Sequence, residues 1–219
     1  MLEVIISDTI KKSLPEIRLG CIKAVVKVLP STQELLTLID ETCNHIKNHL
    51  LIEKVSKINI IEDTKIAYRQ LCKDPSRYRP SAEALTRRVV QGKGLYRVNN
   101  IVDTLNAVSI KHGFSIGGYD LQKINGKIVL GIGKLDEPYN AIGRGMLNIE
   151  HLPVLRDSIG AFGSPTSDSL RTMVSDETMD FLMVFFDFSG SEKLEVTLLD
   201  AKKMYQEYCG AKEIETHIY

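Results

Sequence analysis

Between Phe162 and Thr172 the chain reads FGSPTSDSLRT, which crowds Ser164, Thr166, Ser167, Asp168, Ser169, Arg171 and Thr172 into nine positions. Hydroxyls both donate and accept hydrogen bonds. A carboxylate such as Asp168 can hold an ammonium, and an arginine such as Arg171 can grip a carboxylate or phosphate with its planar fork. Asp157 lies just upstream and Arg144 earlier still. Together these groups suit an amino acid or an aminoacyl ester. A capped turn, in which Ser167 or Asp168 starts a short helix, accounts for the same residues structurally. Loops this polar are often sites, so both readings are open at this stage.

Other constellations carry less. Asn99, Asn100, Asp103 and Asn106 fall at one-sided helical spacing, and Asn100, Asp103 and Asn106 succeed one another three apart on one face. This predicts a polar wall or a buried network, and Asn106 joins the loop as a candidate ligand contact. Cations dominate Lys65 to Arg97, with Asp74 and Glu83 as the only acids. Arg79, Arg87, Arg88, Lys93 and Arg97 in that stripe could contact RNA phosphates, or form a solvated helix face. His45 and His49 are four apart, but Ile46 stands where a metalloprotease motif needs glutamate, so an exposed polar flank is expected and no metal. Gly92-Lys-Gly94, Gly131-Ile-Gly133 and Gly143-Arg-Gly145 each lack the rest of a phosphate loop. No cofactor is expected.

The 219 residues carry 28 basic and 28 acidic side chains, so no net field steers the whole protein to nucleic acid or membrane. Four separated cysteines without a CxxC pair are expected to be free thiols in a reducing cytosol. The apolar run in MLEVIISDTIKK is too short for a signal peptide and its charges follow it. No apolar stretch reaches the roughly 18 residues of a membrane span. A cytoplasmic protein is therefore expected. Trp is absent, so a rich base-stacking surface is not.

These residues need a scaffold. Strand signals cover 3–6 and 20–29; Ser31 with Glu34 three residues on reads as a capping box opening a helix. Its buried face would be Leu35, Ile39, Cys43, Ile46 and Leu50. Further helices are predicted over 63–73, 81–91 and 100–112, the last stopped by Gly113. Short strands follow over 116–121, 127–132, 146–149, 154–156 and 181–188, with Asn125-Gly126 as a hairpin turn. FLMVFFDF reads as a central strand buried on both faces. A helix over 191–208 and a strand over 213–219 close the chain. Helices first and strands later predict an α+β fold with a central, mostly antiparallel sheet. One domain over 1–219 is expected, with 77–190 as its core and 1–65 and 191–219 packed on it.

Val102-Asp103, Asn106, Val108, Gly113, Tyr119-Asp120-Leu121 and the 124–129 strand, preceded by the 81–90 helix with Leu85 and Arg87-Arg88, resemble the editing domain of the phenylalanyl-tRNA synthetase β subunit. Gly160-Ala161-Phe162-Gly163 and Thr178 fit the same pattern, and small free-standing bacterial relatives carry loops like SPTSDSLRT. The resemblance covers roughly residues 77–190. It implies an α+β fold, no metal, and recognition of an amino acid or an aminoacyl-tRNA 3′ end. It further implies possible hydrolysis of mischarged aminoacyl-tRNA, the family's activity being directed at wrongly esterified tyrosine. The family's pocket has a histidine where this chain has Gly117 and a glutamate close to Val184. Water for ester attack would then be positioned by Asp157, Asp168 or substrate hydroxyls. The alternative is a non-catalytic module binding RNA or a small amino-acid-like metabolite.

Overall fold

Helices in the first half and strands in the second are both present in the computed structural model, which describes residues 3–219. In chain order the elements are β1 (Val4–Ile6), α1 (Asp8–Ser13), β2 (Arg18–Val25), α2 (Gln33–His49), α3 (Asn59–Gln70), α4 (Ser81–Val90) and α5 (Asn100–His112). There follow β3 (Ser115–Asp120), β4 (Ile128–Ile132), β5 (Asn140–Ala141), β6 (Gly145–Met146), β7 (Pro153–Arg156), β8 (Ala161–Gly163), β9 (Asp180–Asp187), α6 (Lys193–Cys209) and β10 (Lys212–Ile218). The fold is α+β.

Among the described residues, eight of the ten strands form two four-stranded sheets, and β5 pairs with β6 in a short hairpin. The first, in the order β10-β2-β9-β3, is antiparallel throughout. The second, β1-β4-β7-β8, has one parallel pair, β1 with β4. Residues from the N-terminal part thus enter both sheets: β1 as an edge strand and β2 between β10 and β9.

The apolar run of β9 explains the layering. Side chains alternate along a strand. Phe181, Met183 and Phe185 face one core with Ile101, Leu105 and Val108 of α5 and Leu194 and Leu198 of α6. Leu182, Val184 and Phe186 face the other, with Tyr119 of β3 and Leu130, Leu155 and Phe162 of the second sheet. The first sheet is therefore sandwiched between a helical layer and the second sheet, which is why β9 has no polar face.

The polar residues of α5 turn out to be a fastening. Asn99 caps the helix by accepting from the Val102 amide at 2.9 Å. Asn100 accepts from the Leu29 amide (2.9 Å) and donates to the Lys27 carbonyl (3.1 Å). Asp103 accepts from the Ser31 hydroxyl (2.6 Å) and the Val98 amide (2.8 Å). The loop leaving β2 is pinned by these bonds. They also correct the helix start: Ser31 serves Asp103, and Thr32 caps α2, accepting from the Leu35 amide. Gly113 ends α5 at φ 85°, a left-handed conformation that glycine reaches without Cβ strain. No helix among the described residues is long and apolar enough to cross a membrane.

Candidate functional site

The loop after β8 runs over the junction of the two sheets and ends in a 3-10 turn at Leu170–Thr172. Three buried tyrosines from separate segments fix it. The Tyr68 hydroxyl of α3 pairs with the Thr166 hydroxyl at 2.8 Å. Tyr139, just before β5, donates to the Ser167 carbonyl at 2.7 Å. Tyr119 donates to Asp168 Oδ1 at 2.6 Å. A buried phenol needs a partner for its hydroxyl, and here all three find theirs within residues 166–168.

Asp168 is the most unusual group of the loop. The residue as a whole is half-buried, but its carboxyl lies deep. Burial pushes it up to about 7, against the opposing pull of Tyr119 and of the Gly118 amide, which donates to Oδ2 at 3.2 Å. No cationic side chain among the described residues hydrogen-bonds to it. Burial also holds the Tyr119 phenol well above its ordinary range.

The glycines around it are explained by Tyr119. A Cβ on Gly117 would overlap the Tyr119 hydroxyl and come within 2.9 Å of Asp168 Oδ1. A Cβ on Gly163, on the other sheet, would overlap the same hydroxyl. The Tyr119 ring meets Phe162 edge-on at 5.0 Å. Gly117 and Val184 are direct cross-strand partners, and Cys21 pairs with Val184 from the other side. The two positions at which the chain departs from the editing pattern are thus adjacent, and the phenol of Tyr119 lies over the first of them.

Arg171 and Asp157 meet, but as partners of each other. Arg171 donates to both Asp157 oxygens (3.0 and 2.9 Å) and to the carbonyls of Lys123 and Gly160 (3.2 Å each). Asp157 also accepts from the amides of Asn125, Ile159 and Gly160. Its side chain is wholly buried, and that needs a counter-ion. Burial works to raise its pKa, but Arg171 and the amides outweigh this and hold it below its ordinary value. The fork of Arg171, expected for a ligand, is closed on this pair.

Ser164 pins the loop internally, donating to the Ser167 carbonyl at 2.9 Å and accepting from the Ser167 amide at 3.2 Å. The Ser167 hydroxyl is outward and touches the Ile142 carbonyl at 3.4 Å. Thr172 is fully buried, and its hydroxyl has no hydrogen-bond partner among the described residues. Arg144 is exposed at the tip of the β5–β6 hairpin. That hairpin is clipped to the loop: the Ile142 amide donates to the Asp168 carbonyl at 2.9 Å. Asn106 does not join them. It is half-buried on α5, which packs on the helical side of the first sheet, whereas the loop lies on the inter-sheet side.

Much of the basic stripe is already paired. Glu83, 2% exposed, gathers Lys65, Arg79 and Arg87, and Arg87 also donates to the Ile52 carbonyl. Arg88 stacks on Tyr96 with its guanidinium carbon 4.0 Å from the ring centre, and Arg97 pairs with Asp40. Lys73 is buried, stacks on Tyr78 and donates to the carbonyls of Asn148 and Glu150; burial brings it down to about 8. Arg69, Arg77, Arg79 and Lys93 are exposed. The stripe begins beside the loop, since the Ser81 amide donates to the Pro165 carbonyl and Thr166 to the Tyr78 carbonyl. His45 and His49 are exposed and stack on each other at 4.5 Å.

Sequence spacing could not reveal the tyrosines, because residues 68, 119 and 139 share no motif and converge only through the fold. The one signal was Tyr119, legible as part of a scaffold pattern but not as a neighbour of Asp168.

No curated protein matches the sequence. Among solved structures, the chain is similar to the crystal structure of an N-terminal fragment of the phenylalanyl-tRNA synthetase β-subunit from Pyrococcus horikoshii. The two share 14% identity at a TM-score of 0.45, over 96% of this chain and 50% of that one. The chain spans half the length of the fragment it matches. The B3/4 domain matches residues 63–198, well over half of the chain, and includes every loop residue described above. By that match, the chain belongs to the B3/4 domain family, in line with its resemblance to the phenylalanyl-tRNA synthetase β subunit.

Proposed function

We propose that this B3/4 domain recognises an amino acid, or the aminoacyl 3′ end of a tRNA, at the Phe162–Thr172 loop, with Asp168 holding the ammonium group. The observation that carries the reading is the deep Asp168 carboxyl, pushed up to about 7 and, among the described residues, bonded only by a neutral phenol and backbone amides. An isolated buried carboxylate is costly. A ligand ammonium supplies the opposite charge and draws the pKa down. The outward Ser167 hydroxyl and exposed Arg144 remain for the carboxylate or the terminal nucleotide. The equal count of basic and acidic residues favours a small ligand as the part recognised.

In the hydrolytic form of the reading, Asp168 anchors the substrate ammonium and substrate hydroxyls position the water that attacks the ester carbonyl, with Gly117 and Val184 contributing no acid or base. Across a panel of mischarged tRNAs, at least one is expected to be deacylated faster than in buffer, and Asp168→Asn, which removes the anchor, is expected to cut that rate by about a hundredfold or more. No acceleration with any of them removes hydrolysis from the proposal.

Exposed Arg77, beside the loop, supports contact with the tRNA itself. Reversing it is expected to reduce the slope of log K against log salt by about 1 in a tRNA-binding titration. Reversing Arg79 or Arg87 instead is expected to lower stability, since both are partners of buried Glu83. An unchanged slope for the Arg77 variant excludes this contact.

A further inference from the structure

We infer that Tyr119 sets which aminoacyl side chain the site accepts, admitting small side chains and refusing aromatic ones; this rests on the ammonium-binding role of Asp168 proposed above. The two walls next to that carboxyl are bare. Gly117 of β3 and Gly163 of β8 present no side chain toward it, although they belong to different sheets. The space between them is filled from within the chain, because a Cβ on either glycine would overlap the Tyr119 hydroxyl. Tyr119 is fully buried, its ring is braced edge-on by Phe162, and its hydroxyl is tied to the very oxygen, Asp168 Oδ1, beside Gly117.

A ligand whose ammonium rests on Asp168 brings its Cα beside that hydroxyl. Its side chain then competes with the phenol for one volume. Hydrogen, methyl or hydroxymethyl groups leave Tyr119 in place. A benzyl or hydroxybenzyl group needs the volume that the Tyr119 ring already takes, and displacing a buried ring with its hydrogen bond is costly. The volume over the two glycines already holds one aromatic ring.

The test is a calorimetric panel of amino-acid amides, which carry the ammonium without a free carboxylate: glycinamide, alaninamide and serinamide against phenylalaninamide and tyrosinamide. Wild type is expected to bind the small amides at least about tenfold more tightly than the aromatic ones. Tyr119→Ala is expected to reverse the order, and Tyr119→Phe, which keeps the ring, to preserve it. The wild-type and Tyr119→Phe rankings stand even if Tyr119→Ala does not fold, and p-cresol raising the melting temperature of Tyr119→Ala would show the vacated volume directly. Equal binding of alaninamide and phenylalaninamide by wild type, or an unchanged order in Tyr119→Ala, overturns the inference while leaving the Asp168 reading intact. Binding of no amide by any of the proteins overturns both.

Discussion

Arg171→Ala is expected to destabilise the protein by about 3 kcal/mol and lower its melting temperature by roughly 6–12 °C. Removing one partner of a buried ion pair costs about 3–5 kcal/mol because the other charge is stranded. The lower end applies, since the Arg171 side chain is 27% exposed while that of Asp157 is not exposed at all. The substitution also removes donors to the Lys123 and Gly160 carbonyls, so the loop loses its tie to two other segments. The effect is pH-dependent in a defined direction. The Asp157 pKa is lowered by folding, so its stabilisation is fully present above the ordinary carboxylate value of about 4. It is lost as pH falls through the depressed value. Urea unfolding should therefore show the gap between wild type and Arg171→Ala at pH 7 and a much smaller gap near pH 2. A gap of the same size at both would mean that the pair is not what Arg171 contributes.

The second large effect lies in the Tyr119–Gly117 contact. Tyr119→Ala removes a fully buried ring and is expected to cost about 3–5 kcal/mol. Gly117→Ala places a methyl where the Tyr119 hydroxyl stands and is expected to cost about 3 kcal/mol, the upper end of overpacking penalties. In the double variant the methyl enters the vacated space. The combined loss should fall short of the sum by at least about 1 kcal/mol. Denaturant titration of the four proteins measures this, and strict additivity would show that the phenol does not occupy the space over Gly117.

How far the sequence alone could reach is visible in particular residues. β9 was legible because a strand buried on both faces must be apolar at every position, and 181–186 are. α5 was legible from its cap, its periodic Ile101, Leu105 and Val108, and Gly113. The division into two sheets was not, since strand pairing is long-range: Arg18 registers with Asp187, and Val4 with Ile128. In the loop, residue types gave the inventory but not the wiring. Arg171 and Asp157 have the same chemistry whether they face a ligand or each other, and only the fold shows them paired. Asn106 shares a helix face with Asp103 but lies across a sheet from the loop. Asp168 looked like one polar residue among several; its depth beneath Tyr119, which isolates it, depends on two glycines in different strands.

A ligand ammonium on Asp168 must compete with the proton that the carboxyl carries. At pH 6 a carboxyl with a pKa of about 7 is largely protonated, while the α-ammonium of alaninamide is charged. Binding must then expel the proton. Calorimetric titration of alaninamide at pH 6, in buffers of different ionisation enthalpy, is expected to show release of close to one proton per ligand bound, and Asp168→Asn is expected to abolish that release. Binding without proton release, or the same release from Asp168→Asn, would contradict the assignment of the ammonium to this carboxyl.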